Sequence, residues 1–399
     1  MTSEIEGYDL ARLIDPISTG AFQTRYWEKK PLVVQRDDPL YYKEFFSLDA
    51  FDAIVSTSNL LRSDIGIVRD GRETPLRTLI DGHPALALEK AFACYRDGST
   101  IVLQLIHERW KPLMRLCRSL SREVSAGFQV NAYLTPPNAR GFGIHYDTHD
   151  VFVLQIQGDK HWRIFNSPIV LPLPSQSYQA RQHDPPDIVE ELDLNAGGVL
   201  YIPRGFIHEA VSTSSTSLHL TLGVLSVNWA ETVLAAIESI IESDSRFRES
   251  LPPGFARIES VRKAAETHAR ELLNVLLADL SAKALLADAS ERADLRQYPE
   301  LDGHLLDLEI ASTANLSTLV RRRPGVQWRI TRTDDEVRLN FFGKELRMPG
   351  RIEPLLLFIS QTTDPFTGTS LPIGVADEER LVLIRRLLRE GFLTQANLE

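Results

Sequence analysis

The sequence predicts an α+β protein: a β-sandwich or barrel, then a helical stretch, then a small module mixing strands and helices. Three observations carry this. Between residues 142 and 224 short apolar runs alternate with Gly- and Pro-containing turns, the pattern of many short strands packed into a sandwich or barrel. From Trp229 the apolar residues change to helical spacing, and after about residue 300 strand-like runs return among short helical ones.

Taken in order, residues 142–146 and 151–157 read as strands separated by the polar break 147–150. Gly158-Asp159 reads as a tight turn and 160–165 as the returning strand. Val199-Leu200-Tyr201-Ile202 is a buried apolar strand, Pro203-Arg204-Gly205 a turn, and 206–212 a second β-run. Residues 217–224 alternate polar and apolar. Residues 229–245 form a helix with Leu234, Ile237 and Ile241 aligned, ended by Leu251-Pro252-Pro253-Gly254. A longer helix is expected from 257 to about 286, where Leu272, Leu273, Val275, Leu276 and Leu277 exceed one helix face and call for a second packing partner. Residues 327–332 and 336–342 read as strands joined at Thr333-Asp334-Asp335, and 355–359 and 379–389 as helices, the last closed by Gly391.

The chemistry gathers on His145 and Asp147, in G-F-G-I-H-Y-D-T-H-D, and on His208, 63 residues later in Y-I-P-R-G-F-I-H-E-A. Two imidazoles and one carboxylate are the facial triad of non-haem Fe(II) oxygenases. Such a triad leaves three positions open, where a 2-oxo acid and O2 can sit together. On a strand His145 and Asp147 face the same side, and His208 shares a face with Phe206 and Ala210. His149 and Asp150 compete as ligands, because H-x-D and H-D overlap here. His107, His161 and His183 lack a partner pattern and read as structural or exposed. Lys160, placed to face inward on a barrel strand, would need an anion, and the distal carboxylate of 2-oxoglutarate supplies one.

The segments V-N-A-Y-L-T-P-P, H-Y-D-T-H-D-V-F-V-L-Q-I-Q-G-D-K-H-W-R-I-F and Y-I-P-R-G-F-I-H-E-A resemble the JmjC-type ribosomal oxygenases of the cupin superfamily, as does the opening R-Y-W-E-K-K-P-L-V-V. The likeness covers most of the chain. It implies a double-stranded β-helix barrel carrying Fe(II) on His145, Asp147 and His208. It implies that Lys160 holds the C5 carboxylate of 2-oxoglutarate, that Asn131 lines the same pocket, and that Tyr133 contacts substrate. It further implies a helical region that forms a homodimer and a C-terminal winged-helix module. The corresponding boundaries are 1–228 for the barrel with its N-terminal extension, 229–300 for the dimerisation region and 301–399 for the winged helix. One departure stands out. Several relatives carry a hydroxyl residue on the last barrel strand where Gly223 falls here, leaving Thr221 or His219 as substitutes.

The implied reaction is hydroxylation, with O2 and 2-oxoglutarate as co-substrates, of a residue at its β-carbon in a protein such as a ribosomal protein. A peptide natural-product precursor is the alternative substrate, N-methyl-lysine demethylation a third. A non-catalytic cupin regulator with a DNA-binding winged helix is the rival from another class. Net charge of −10 argues against general nucleic-acid binding and suits a basic protein or peptide partner. Residues 301–399 hold 13 Lys+Arg against 14 Asp+Glu, about −1, with Arg321-Arg322-Arg323 the one basic cluster. No apolar run approaches the ~18 residues of a membrane span. The acidic start MTSEIEGYDL lacks signal-peptide order. Two cysteines, Cys94 and Cys117, make no disulfide framework. A reducing cytoplasm is expected.

Overall fold

The computed structural model describes residues 9–58, 60, 63–74, 88–179, 187–296 and 301–396. Most of the acidic opening segment, and His183, lie outside them. The chain divides into two compact units, one made of residues 1–225 with 297–399 and one of residues 226–296.

The first unit opens with helices α1 (Leu10–Ile14) and α2 (Thr19–Arg25), strand β1 (Leu32–Val34) and helix α3 (Leu48–Thr57). Asp9, Ser18 and Ser47 cap the three helices by accepting a backbone N–H three residues on. Strands β2 (Ile65–Arg69) and β3 (Arg72–Glu73), helix α4 (Leu88–Arg96) and strand β4 (Thr100–Leu103) follow. Helix α5 (Lys111–Val124) buries Leu113, Leu116, Cys117 and Leu120, a stripe at i, i+3, i+4 and i+7, and packs on β5 (Ala126–Thr135). Then come β6 (Asp150–Gln157), β7 (Asp159–Phe165), β8 (Ile188–Asn195), β9 (Val199–Ile202), β10 (His208–Ser212) and β11 (Ser217–Ser226).

These strands form an eight-stranded sheet in the order β1-β9-β6-β11-β5-β4-β2-β3 and a three-stranded sheet in the order β10-β7-β8. From β6 onward the chain changes sheets repeatedly: β6 in the large sheet, β7 and β8 in the small one, then β9, β10 and β11 by turns. This is the double-stranded β-helix of cupins. The change from β6 to β7 turns on Gly158 at φ +65°, where a Cβ would lie 2.1 Å from the Thr216 carbonyl oxygen. Only glycine fits there. Strand β9 is buried along its whole length, as its unbroken apolar sequence demands. Around Tyr201 it packs Phe22, Trp27 and Phe152, with ring centroids 4.9–6.1 Å apart, so the opening helices seal one flank of the barrel.

In the second unit, α6 (Trp229–Ser243) is capped by Asn228. The single helix expected over 257–286 is two helices, α7 (Glu259–Asp279) and α8 (Ala282–Leu295). Extended backbone at Leu280 and Ser281 breaks the run, and the Ser281 hydroxyl accepts the Ala284 N–H. Helical spacing continued across the break because the apolar pattern does not register a serine used as a cap.

The C-terminal part of the first unit contains α9 (His304–Thr313), β12 (Val320–Arg322), β13 (Arg329–Arg332), β14 (Glu336–Phe341), β15 (Lys344–Pro349), α10 (Glu353–Gln361), α11 (Asp377–Glu390) and β16 (Leu393–Gln395). Strands β13-β14-β15 make an antiparallel meander and β12 pairs with β16. Gly391 closes α11 at φ +84°. Arg323, of the basic cluster 321–323, is buried: its Nε donates to the Gly391 carbonyl and its guanidinium pairs with buried Asp307. Among the described residues no helix is long and apolar enough to cross a membrane.

Candidate active site

His208 opens β10, directly after the Pro203-Arg204-Gly205 turn. Residues 142–146 do not form the strand expected of them. They make a single antiparallel bridge, with the His145 N–H on the His208 carbonyl at 3.1 Å and the reverse bond at 2.7 Å. Asp147 is held by its own carbonyl, which accepts the Gly205 N–H at 3.0 Å. One turn therefore fixes both ligand segments. The imidazole centroids of His145 and His208 lie 4.5 Å apart, and His208 Nε2 is 3.7 Å from Asp147 Oδ2. One ligand atom from each of His145, Asp147 and His208 lies within 4.8 Å of the others, the one such grouping among the described residues.

The ring orientations fit a metal. His145 Nδ1 donates to the Gly143 carbonyl at 2.8 Å, and His208 Nδ1 to the Phe206 carbonyl at 3.1 Å. In both rings the proton is thereby assigned to Nδ1 and the Nε2 lone pair is left to coordinate. Burial, and then the neighbouring His145, pull the His208 pKa down to about 4, so this ligand is neutral at pH 7.

The competing residues have other work. Asp150 is fully buried in β6, where it accepts the Arg204 N–H at 2.7 Å and the Tyr201 hydroxyl at 3.2 Å and faces the Arg204 guanidinium at 3.4 Å. Arg204 also reaches Glu28 at 2.5 Å. The opening W-E-K segment and the P-R-G turn therefore meet in one buried network. His149 lies over Gly223, where a Cβ would come within 2.8 Å of its ring. The bare glycine makes room for that imidazole, which explains why no hydroxyl stands there. His107 is buried and accepts the Val130 N–H; His161 pairs with Asp193 and Glu191.

The triad opens on a cavity of about 240 Å³ whose walls include Tyr133, Val151, Val153, Lys160, Trp162, His219 and Thr221. Lys160 is 4 % exposed, which excludes a solvated surface lysine. Its ammonium donates to Thr135 Oγ1 at 3.2 Å, and among the described residues no carboxylate lies within ion-pair distance of it. Burial lowers its pKa to about 7. Thr135 is the threonine of the V-N-A-Y-L-T-P-P segment, but nothing in its residue type or spacing points to a role beside Lys160. Tyr133 forms part of the wall, close to Asn131 and Thr221, and burial pushes its phenol pKa up to about 12. Asn131 stands one step behind the wall and not in it. Its Oδ1 accepts the Leu105 N–H at 2.9 Å.

A cupin barrel with a His-x-Asp…His triad at its mouth defines the JmjC class. Residues 104–232 match the JmjC domain family, so the chain carries a domain of that class. Within it, the sequence is similar to Ribosomal oxygenase 1 of Danio rerio, 31% identical over 272 residues that cover 65% of this chain and 49% of the relative. It is also 31% identical over 346 residues to the bifunctional lysine-specific demethylase and histidyl-hydroxylase NO66 of Dictyostelium discoideum, covering 82% of this chain and 66% of that protein. The chain thus spans between about half and two thirds of these relatives. The fold is similar to that of the Escherichia coli ribosomal oxygenase YcfD, with a TM-score of 0.53 and 18% identity over 96% of this chain and 99% of that one. A YcfD structure in complex with cobalt and 2-oxoglutarate matches at a TM-score of 0.52 and 17% identity, with the same coverage.

Proposed function

We propose that this protein is an Fe(II)- and 2-oxoglutarate-dependent oxygenase that hydroxylates an amino-acid residue in a protein substrate. One observation carries this reading: two imidazoles and a carboxylate share a cavity with a buried lysine that, among the described residues, has no carboxylate within ion-pair distance. His145, Asp147 and His208 would hold the metal and Lys160 the distal carboxylate. Iron with 2-oxoglutarate, when bound, supplies the oxidation of an unactivated C–H bond. The chain's part is to bind, orient and exclude. Asp147 contributes negative charge from one position and so leaves three positions free. The 2.8 and 3.1 Å Nδ1 bonds of the two imidazoles fix their planes before any metal arrives. Tyr133, Trp162 and Val153 wall the cavity, limiting water around the reacting carbon.

A ribosomal protein as target, with hydroxylation at the β-carbon, is supported by similarity to the ribosomal oxygenases. A net charge of −10 favours a basic partner of that kind. Direct nucleic-acid binding is disfavoured because Arg321-Arg322-Arg323 faces the protein: Arg322 bonds the Ser360 carbonyl and Arg323 is buried. We read residues 229–300 as a homodimerisation region and 301–399 as a winged-helix docking module. A cytoplasmic setting suits two unpaired cysteines and a ferrous site.

The test is succinate release from purified protein given Fe(II) and 2-oxoglutarate, with mass spectrometry of treated cell extract for peptides that gain one oxygen atom. His145→Ala, Asp147→Ala and His208→Ala should each abolish turnover with the fold intact, since the apolar strands carry the core. Full activity in His145→Ala overturns the assignment.

A further inference from the structure

His219 is a wall residue of the same cavity whose hydrogen-bonding capacity is unspent. It is 3 % exposed, and among the described residues its buried Nδ1 has no partner, although buried polar groups are ordinarily paired. Its plane is fixed from two sides. The Tyr133 ring stacks on it at 4.7 Å and 3°, and the Trp162 ring meets it edge-on at 5.8 Å and 81°. Tyr133 in turn has Asn131 and Thr221 as close neighbours. Gln155, opposite His219 in the β6–β11 register, donates its amide to Ser217 and to the Gln157 carbonyl and makes no bond to the imidazole. Burial, and then the charge of Lys160, hold the His219 pKa well below its usual value. The ring therefore carries one N–H and no charge, near an ammonium that has no carboxylate within ion-pair distance among the described residues.

Resting on the 2-oxoglutarate reading, we propose that His219 is the second anchor of the co-substrate's distal carboxylate: its neutral imidazole donates to the anion that Lys160 neutralises. A group on β11 and one on β7 would then grip the carboxylate from the two facing sheets. A 2-oxo acid without a distal carboxylate leaves both unsatisfied, so the pair selects a dicarboxylate by the penalty on shorter or uncharged ends. The stack with Tyr133 keeps the imidazole aimed and limits the ordering needed on binding.

The test uses full-length protein loaded with Mn(II) in the absence of O2. Affinity is measured calorimetrically for 2-oxoglutarate and for 2-oxopentanoate, the same chain without the distal carboxylate. His219→Phe keeps a stacking ring and removes the donor. It should bind 2-oxoglutarate about tenfold more weakly, while its affinities for 2-oxopentanoate and Mn(II) stay unchanged. His219→Gln, which retains an N–H, should keep part of the difference, and His219→Leu serves with the same expectation as Phe if the latter does not fold. Unchanged 2-oxoglutarate affinity in His219→Phe, or an equal loss for both ligands, overturns the proposal. Lys160→Ala separates the two readings. If it loses 2-oxoglutarate affinity and His219→Phe does not, only the His219 anchor fails. If the wild type itself does not prefer 2-oxoglutarate to 2-oxopentanoate, the co-substrate reading fails.

Discussion

Lys160 shows most directly how burial turns a common residue into a reagent. Its pKa of about 7, set by desolvation, means that the empty site loses its ammonium as pH rises through neutrality. A bound carboxylate favours the charged form. Binding must therefore take up protons, and increasingly so above pH ~7. Calorimetry of 2-oxoglutarate binding in buffers of different ionisation enthalpy should show this uptake in the wild type, and Lys160→Ala should abolish it. Proton-neutral binding at pH 8 would mean that the lysine is already paired. Removing the ammonium should also weaken co-substrate affinity roughly ten- to hundred-fold, as expected for a charge-assisted contact. For folding the sign is opposite to that of a paired lysine. The folded pKa lies below the unfolded value of 10.5, so the unfolded chain holds more protons between the two, and Lys160's contribution to stability rises with pH across that window.

At the scale of elements, the turn before β10 controls the site. Gly205 sits at φ +89°, and a Cβ there would meet the Ile169 carbonyl oxygen at 2.5 Å. Its N–H also fixes Asp147. Gly205→Ala should cost ~1–3 kcal/mol from backbone strain and weaken metal binding as well. Gly223→Ala should cost less and leave metal binding unchanged, because it carries no positive φ and the atoms its Cβ would meet are side-chain atoms of the half-buried His149 ring and of Gln129, which can give way. Urea unfolding and Mn(II) titration of both variants compare them; equal losses would mean that the turn has no special role. The contrast also marks what could be read from residues alone. β9 and the Gly158 turn were legible because an unbroken apolar run and a glycine-led reversal each have one good local solution. The metal triad was legible because its three residue types carry the chemistry themselves. Residues 142–146 were not, since a single bridge to His208 leaves no periodicity. The break at Ser281 and the placement of Asn131 behind Tyr133 depend on contacts distant in sequence, and Thr135 is an ordinary strand residue until Lys160 points at it.

For the molecule as a whole, surface chemistry decides assembly. None of the 21 residues of α7 is buried, and Leu273 and Leu277 are 57 % and 72 % exposed, an apolar display that soluble proteins rarely leave open. On the proposed homodimer, Leu273→Asp with Leu277→Asp should shift sedimentation from dimer to monomer, while equal sedimentation of variant and wild type would exclude this helix as the contact. In the C-terminal part, Asp307 accepts from buried Arg323, Thr394 and the Gln395 N–H. Asp307→Ala strands a buried guanidinium and should destabilise by ~3–5 kcal/mol, read as an earlier melting of that part. The barrel carries a different lesson for anyone dividing this chain. The stretch recognisable as a JmjC domain begins at residue 104, but strand β1 lies seventy residues earlier and hydrogen-bonds to β9 from Leu32–Tyr201 through Val34–Val199. A fragment trimmed to the recognisable borders would bare the whole outer rim of β9, together with Tyr201 and Asp150, and offer an apolar strand for intermolecular pairing. Such a fragment should precipitate, and what would be lost with the first hundred residues is solubility before catalysis.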